Sequence, residues 1–159
     1  MIQDISLLIV CFVIGEHMSS FHPKGSIRVT TSMVGARSEQ YIIAKLMTAG
    51  YEPLKPVREG LRYDLVIEDA DGHFWRIQCK TGRYKNGAVE FHCSDRGRSI
   101  RSYRGQCDYF AIHCTDLGTV YLVPTDQLPL HLACLRVDPP SEKMKSQGHG
   151  IRWAKDYEL

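Results

Sequence analysis

The stretch Leu61–Lys80, LRYDLVIEDADGHFWRIQCK, is the part of this chain of 159 residues from which its fold can be predicted. Leu61–Glu68 and His73–Lys80 are runs of strand length, rich in apolar, β-branched and aromatic residues. The turn-forming residues Asp69–Gly72 separate the two runs. The sequence therefore predicts a β-hairpin at this point of the chain.

Alternation along the two strands distributes their side chains between the faces of the sheet. In the second strand Gln78 and Lys80 point one way, whereas Ile77 and Cys79 point toward the core. Asp64 in the first strand lies opposite its apolar neighbours. Pairing of the strands can therefore bring Asp64 beside Gln78 and Lys80 at one end of the hairpin.

An amphipathic helix is predicted before the hairpin. Apolar residues, Ile42 and Leu46 among them, recur at helical spacing within Val34–Ala49, and Gly50 supplies a stop. Glu39 lies close to the apolar side of this helix. A buried carboxylate needs a metal ion, a lysine or water as its partner, whereas a glutamate at the helix edge reaches solvent. The pattern leaves both interpretations open.

Further strands are predicted on both sides of the hairpin, at Tyr51–Val57, Val89–Cys93, Asp108–Cys114, Thr119–Val123 and Leu132–Val137. Ser94–Gln106 is rich in Gly, Ser and Arg and indicates a loop with about one helical turn. We expect an α/β domain at residues 33–138. Residues 1–32 are interpreted as an N-terminal extension outside the domain, and residues 139–159 as a Pro-rich polar linker and C-terminal tail.

Composition excludes several classes of protein. The formal net charge of +2 is too small to indicate nucleic-acid binding by itself. The six cysteines include no CxxC pair, which favours reduced thiols in a cytoplasmic protein over zinc ligands or disulfides. The apolar run 5–14 is far shorter than the roughly 20 residues of a membrane helix, so no membrane association is expected.

A local excess of positive charge lies between residues 80 and 104, where seven basic and two acidic side chains leave a balance of +5. Basic and tyrosine side chains beside Ser and Gly can contact phosphates, although such a run is also typical of a solvated loop. The candidate DNA-binding residues are Arg83, Lys85, Arg96, Arg98, Arg101, Tyr103 and Arg104.

The polar residues of the hairpin and helix are together of the types needed for metal-dependent phosphodiester hydrolysis. Carboxylates of Glu39 and Asp64 and the amide oxygen of Gln78 are ligand types that suit Mg²⁺. Lys80 can then orient the attacking water or stabilise charge on phosphorus. Taken singly, each of these residues has an ordinary structural explanation, and only their combination favours a metal-dependent active site.

These residues and their flanking motifs resemble the PD-(D/E)XK nuclease superfamily, and more narrowly the group I intron-associated PD-(D/E)XK endonucleases, a homing-endonuclease family. The likeness covers roughly Met33 to Leu159. Two departures stand out, since Tyr63 occupies the position of the proline and Gln78 replaces the second acid. The resemblance to this family rests on the motifs GARSEQYIIAKL, LRYDLVIED, FWRIQCKTGR, SYRGQCDYFAIH, VYLVP, LRVDPP and IRWAKDYEL.

The resemblance implies a restriction-endonuclease-like fold of αβββαβ type, with a central mixed sheet on which the first helix packs. It also implies a Mg²⁺-dependent endonuclease, with Mn²⁺ as a possible substitute, that cleaves double-stranded DNA as a dimer or tetramer. Two alternatives stay open at this point. One is a DNA-binding protein that has lost cleavage through Gln78, and the other is a Holliday-junction-resolvase-like enzyme.

Overall fold

The computed structural model describes residues 28–94, 102–140 and 150–159. Its main elements in these ranges are one helix and seven strands. They are α1 (Thr31–Thr48), β1 (Glu52–Leu54), β2 (Leu65–Glu68), β3 (Phe74–Lys85), β4 (Ala88–His92), β5 (Tyr109–Cys114), β6 (Thr119–Pro124) and β7 (Leu132–Arg136). Within these ranges, no helix is both long and apolar enough to cross a membrane.

Helix α1 begins two residues before Met33, so it crosses the boundary expected from the sequence. Thr30 caps it, because its hydroxyl accepts a hydrogen bond from the backbone N–H of Met33 at 3.3 Å. The helix ends at Thr48, and Gly50 follows with a φ of +89°, a conformation that favours glycine. Its buried face presents Ile42 and Leu46 to the sheet.

The sheet is mixed and is organised around β3. Residues 74–77 of β3 pair antiparallel with β2, residues 77–82 pair parallel with β5, and residues 83–85 pair antiparallel with β4. Strand β1 extends the sheet beyond β2, β7 extends it beyond β4, and β6 lies beside β5. The predicted arrangement, a mixed sheet with the first helix packed on it, is confirmed.

The hairpin differs in its bounds from the prediction. Strand β2 begins at Leu65 rather than Leu61, and β3 continues five residues past Lys80 to Lys85. The extension forms because Arg83–Lys85 finds a second partner in β4, a long-range pairing that strand propensity does not reveal. Tyr63 therefore lies outside the strand and packs on the face opposite to Leu65.

The sheet separates two apolar clusters. Between the sheet and α1 lie Ile42, Leu65, Ile77 and their neighbours, with Cys79 packed against them. A larger cluster covers the other face and includes Tyr103 and residues of β4 to β7. The two faces of β3 thus contact different surroundings, which positions its polar residues.

The predicted αβββαβ order includes a second helix, which would lie in the connection from β4 to β5. The described part of this connection contains one turn, closed by the backbone N–H of Cys107 donating to the carbonyl of Tyr103 at 3.1 Å. Residues 95–101 lie outside the described ranges.

The C-terminal segment joins the sheet, although the sequence placed it in a linker and tail. The backbone N–H of Leu122 donates to the Tyr157 carbonyl at 2.7 Å, and Leu159 donates to Val120 at 3.0 Å. Ala154 is buried in the larger apolar cluster. Short runs such as 151–159 carry too little periodicity to predict this docking.

Replacing Gly82 by alanine is expected to lower the free energy of unfolding by about 1–3 kcal/mol, because overpacking strains a core. A Cβ atom there would lie 2.7 Å from Val89 Cγ1 and 2.8 Å from Ile112 Cγ2, both on stiff branched side chains. Gly35→Ala is the matched control, since nothing lies within 4 Å of a Cβ at that helical position. Urea denaturation should show Gly35→Ala stabilised by about 1 kcal/mol, and equal effects of both variants would contradict the packing argument.

Candidate active site

Asp64 lies immediately before β2, at the end of the hairpin. Its backbone N–H donates to the Ile77 carbonyl at 2.8 Å, which continues the pairing with β3. Its carboxylate Oδ2 accepts hydrogen bonds from the backbone N–H of Cys79 at 2.7 Å and from the side-chain amide of Gln78. Both bonds fall on one oxygen, so Oδ1 is the oxygen that remains for a ligand.

Gln78 lies beside Asp64, as the alternation along the strand predicts. Only 7% of the residue is exposed, so its amide needs partners within the protein. Its Nε2 donates to Asp64 and, more weakly, to the Cys79 carbonyl at 3.4 Å. Because the NH₂ group is used in this way, the amide oxygen is the atom that can act as a ligand.

Lys80 projects to the same side of β3 and lies against an aromatic wall. Its Nζ is 4.9 Å from the ring centroid of Tyr103 and 6.0 Å from that of Phe110. It also donates to the Tyr103 hydroxyl at 3.4 Å. Contact with aromatic faces favours a cation and limits where the ammonium can lie.

Glu39 approaches from α1, and the open question about its partner is answered by Lys55. The Lys55 Nζ lies 2.6 Å from Glu39 Oε1, and 24% of the Glu39 side chain is exposed. Lys55 follows β1 in a loop, and nothing in its sequence surroundings identifies it as a site residue. Reasoning from the pattern of α1 and the hairpin alone misses it.

Electrostatics make this a place where a cation is favoured. Burial raises the pKa of the Asp64 carboxyl, and the nearby charge of Glu39 raises it further. The Cys79 hydrogen bond and the charges of Lys80 and Lys55 oppose that shift. An open groove of about 310 Å³ has both carboxylates among its lining residues. The site therefore combines a partly desolvated Asp64 carboxyl with access from outside.

A buried polar network fixes α1 against β3 next to this site. Thr81 donates from its hydroxyl to Ser38 Oγ at 2.7 Å, and Ser38 Oγ lies 3.2 Å from His113 Nδ1. The His113 ring stacks on Tyr41 at 4.2 Å, and burial lowers the pKa of His113. Since Ser38 precedes Glu39 in α1, this network fixes the position of the helix on the sheet next to Glu39.

The basic residues expected to bind DNA are not all placed together. Arg83 and Lys85 are exposed, and alternation along β3 puts them on the face opposite to Lys80. Arg104 is exposed and donates to the Leu128 carbonyl at 3.0 Å. Three of the predicted residues fall outside the described ranges, namely Arg96, Arg98 and Arg101.

Tyr103 was expected to face DNA, and the structure places it differently. It is 7% exposed and packs edge-on against Phe110 in the larger apolar cluster. The guanidinium of Arg62 lies 3.9 Å from its ring centroid, and Lys80 contacts the same ring. Tyr103 thus supports basic side chains rather than presenting its own ring for stacking.

A second acidic group lies at the far end of the hairpin. Asp69, Asp71 and His73 have ligand atoms within 4.8 Å of one another. The oxygens of Asp69 already accept hydrogen bonds from the Asp71 and His73 backbone and from the Trp75 indole. This arrangement closes the turn between β2 and β3 and is explained by it.

Comparison with known proteins shows which family and which fold the chain is similar to. The family model described as PD-(D/E)XK endonuclease matches residues 29–159. Among solved structures, that of a bacterial homing endonuclease, I-Ssp6803I, matches with a TM-score of 0.58 and 21% sequence identity, over 82% of this chain and 88% of that one. At this identity the likeness is one of fold. No curated protein sequence matches the chain.

Proposed function

Because this chain belongs to the PD-(D/E)XK endonuclease family, we propose that it is a metal-dependent DNA endonuclease whose active site consists of Glu39, Asp64, Gln78 and Lys80. The observation that carries the proposal is the convergence of these residues from α1, the residue before β2, and β3. Asp64 and Gln78 share a hydrogen bond, and Lys80 lies two residues farther along the same strand face.

The donor set fits a magnesium ion, with manganese as a substitute. Glu39, Asp64 and Gln78 offer two carboxylates and an amide oxygen, the hard oxygen ligands that Mg²⁺ prefers. Burial of Asp64 near the Glu39 carboxylate favours positive charge, which Lys55 and Lys80 supply in the metal-free protein and which a metal ion would also supply. When bound, the ion supplies positive charge at the phosphate and acidifies the attacking water.

Lys80 then has a distinct role on the substrate. Its ammonium donates to a phosphoryl oxygen while water attacks phosphorus and the bond from phosphorus to the leaving oxygen breaks. The aromatic wall of Tyr103 and Phe110 keeps it on the side of the strand where Gln78 lies. The backbone hydrogen bond from Cys79 holds Asp64 in place during the same step.

For the substrate we propose double-stranded DNA, in a homing or intron-associated role. The solved structure that matches in fold is that of a homing endonuclease, and this likeness supports the narrower assignment. The proposed phosphate contacts, which would position a duplex without reading its sequence, are Arg83, Lys85, Arg96, Arg98, Arg101 and Arg104. Two copies acting as a dimer, or a tetramer, would cut both strands.

Gln78 favours a second candidate, a DNA-binding protein of this fold without cleavage activity. An amide in place of an acid removes a negative charge from the metal site, which weakens attraction for Mg²⁺. Its hydrogen bond to Asp64 uses the amide as a structural group. The two candidates differ in one measurable property, which is metal-dependent nicking.

The proposal is tested by incubating the purified chain with supercoiled, linear and branched DNA in Mg²⁺, in Mn²⁺ and in EDTA. Cleavage in either metal and none in EDTA supports the endonuclease. Preference for branched over linear DNA would instead indicate a junction-resolving enzyme. Metal-independent binding to all substrates without nicking would favour the binding protein.

Replacing Gln78 by glutamate is expected to tighten Mg²⁺ binding about fivefold or more, because a third carboxylate adds charge to the site. The same change should destabilise the metal-free protein, since the amide that donates to Asp64 becomes a like charge beside it. Calorimetric Mg²⁺ titration and melting in EDTA measure the two effects. Unchanged metal affinity would remove Gln78 from the proposed ligands.

A further inference from the structure

Lys55 is delivered to the active site by the pairing of β1 with β2. The register places Leu54 opposite Val66, so the next residue, Lys55, reaches the end of the strand pair where Asp64 lies. The groove that contains both carboxylates is lined by Lys55 and by Arg58 of the same loop. A short edge strand thus brings a cation to the site from outside the helix and hairpin.

The contact between Lys55 and Glu39 occupies an oxygen that a metal ion would need. At 2.6 Å it is a charge-assisted hydrogen bond. More than half of the Lys55 side chain is exposed, so the ammonium can leave Glu39 without unpacking the protein.

The charges of the site balance without a metal ion because of Lys55. Glu39 and Asp64 carry two negative charges, Lys80 and Lys55 carry two positive charges, and Gln78 is neutral. A divalent cation bound by the carboxylates would leave both ammonium groups uncompensated. DNA phosphates carry the negative charge that such groups attract.

We propose that Lys55 is a counter-ion that exchanges with the metal: it holds Glu39 in the metal-free protein and moves to a DNA phosphate when the metal ion binds. This inference rests on the proposed function. In the free protein Lys55 competes with the metal ion for the Glu39 carboxylate, and in the DNA complex it contacts the substrate. Surface ion pairs contribute little to stability, so melting temperature is not the decisive measurement.

The first test is calorimetric titration of Mg²⁺ into the whole chain without DNA. Lys55→Gln should bind Mg²⁺ about fivefold more tightly than the wild type, since an exposed ion pair contributes about that factor. Lys55→Arg, which keeps the charge, should bind like the wild type. Arg58→Gln is the matched control, because Arg58 lies in the same groove and is not the ion-pair partner of Glu39.

A double-mutant cycle separates direct competition between Lys55 and Mg²⁺ for Glu39 from a general change in the electrostatic potential of the site. In a Glu39→Gln background the Lys55→Gln change should leave Mg²⁺ affinity unaltered, because the contact that it relieves is already lost. An effect of Lys55→Gln that persists in that background overturns the exchange.

The second test measures DNA binding in a Lys80→Ala background, which keeps the substrate intact. The dependence of binding on salt should steepen by about one phosphate contact when Mg²⁺ is added. Adding Lys55→Gln should abolish that increment, whereas Arg58→Gln should retain it. A slope that Mg²⁺ does not change in the Lys55-containing protein overturns the second half of the proposal.

The inference and the proposed function fail in different ways. If the wild type cleaves DNA with Mg²⁺ and Lys55→Gln binds Mg²⁺ no more tightly than Arg58→Gln, the exchange is overturned and the endonuclease stands. If the wild type binds neither Mg²⁺ nor DNA, the proposed function is overturned, and the exchange with it.

Discussion

Replacing Asp64 by asparagine is expected to lower the rate of metal-dependent cleavage by about 100-fold or more, because the site loses a ligand charge worth several kcal/mol. The metal-free variant should nevertheless melt at a higher temperature than the wild type at neutral pH. Asparagine keeps an oxygen that accepts from the Cys79 backbone N–H, and it removes a desolvated charge. Plasmid nicking and thermal melting in EDTA measure the two effects.

The sign of the pH dependence follows from the raised pKa of Asp64. A carboxyl whose pKa is raised by folding binds its proton more tightly in the native state, so metal-free stability falls as pH rises from the ordinary aspartate pKa to the raised one. The difference between Asp64→Asn and the wild type should therefore vanish at acidic pH and reach its maximum above that range.

Added Mg²⁺ should reverse the order of the two proteins. A ligand at 100 times its dissociation constant stabilises the protein that binds it by about 2.7 kcal/mol, and Asp64→Asn should gain far less. A wild type that Mg²⁺ fails to stabilise, or an Asp64→Asn variant that cleaves as fast as the wild type, would contradict the role given to this carboxylate.

Replacing Lys80 by alanine should lower the cleavage rate by about 10²- to 10³-fold, as expected when a donor to developing charge is removed. Mg²⁺ binding should persist, because Glu39, Asp64 and Gln78 are unchanged. DNA binding should weaken only slightly, since one phosphate contact among several is lost. Single-turnover cleavage measured beside Mg²⁺ titration separates the chemical step from metal binding.

Lys155→Ala is the matched control for this variant. Lys155 is exposed in a short C-terminal turn and is not one of the proposed site residues, so the same loss of one positive charge occurs outside that set. Its cleavage rate should stay within about twofold of the wild type, the range expected for a surface change. Equal losses in both variants would indicate a general effect of charge and would remove Lys80 from the active site.

The order and faces of the central elements were predictable because they depend on local periodicity. Alternation predicted that Gln78 and Lys80 share one face of β3. In the structure Lys80 contacts Tyr103 of the larger apolar cluster, whereas Cys79 packs against the cluster between the sheet and α1. The helix carrying Glu39 was predicted from its apolar spacing. The expectation of a restriction-endonuclease-like fold is confirmed by the structural match.

Pairings between distant segments were not predictable in the same way. The extension of β3 to Lys85 depends on β4, and the docking of residues 151–159 depends on β6 and β7. Burial of Tyr103 likewise follows from packing against Phe110 of β5. None of these contacts leaves a periodic signal within one segment, because each depends on which strands become neighbours.

Residue patterns along the chain were enough to identify the family, the helix with Glu39, and the hairpin that joins Asp64 to Gln78 and Lys80. What Glu39 contacts became known only from the folded arrangement. Lys55 becomes its partner through the register of β1 on β2, sixteen positions away along the chain. Such an ion pair forms only when strand pairing brings two distant segments together, so it cannot be predicted from the residue types along one strand or helix.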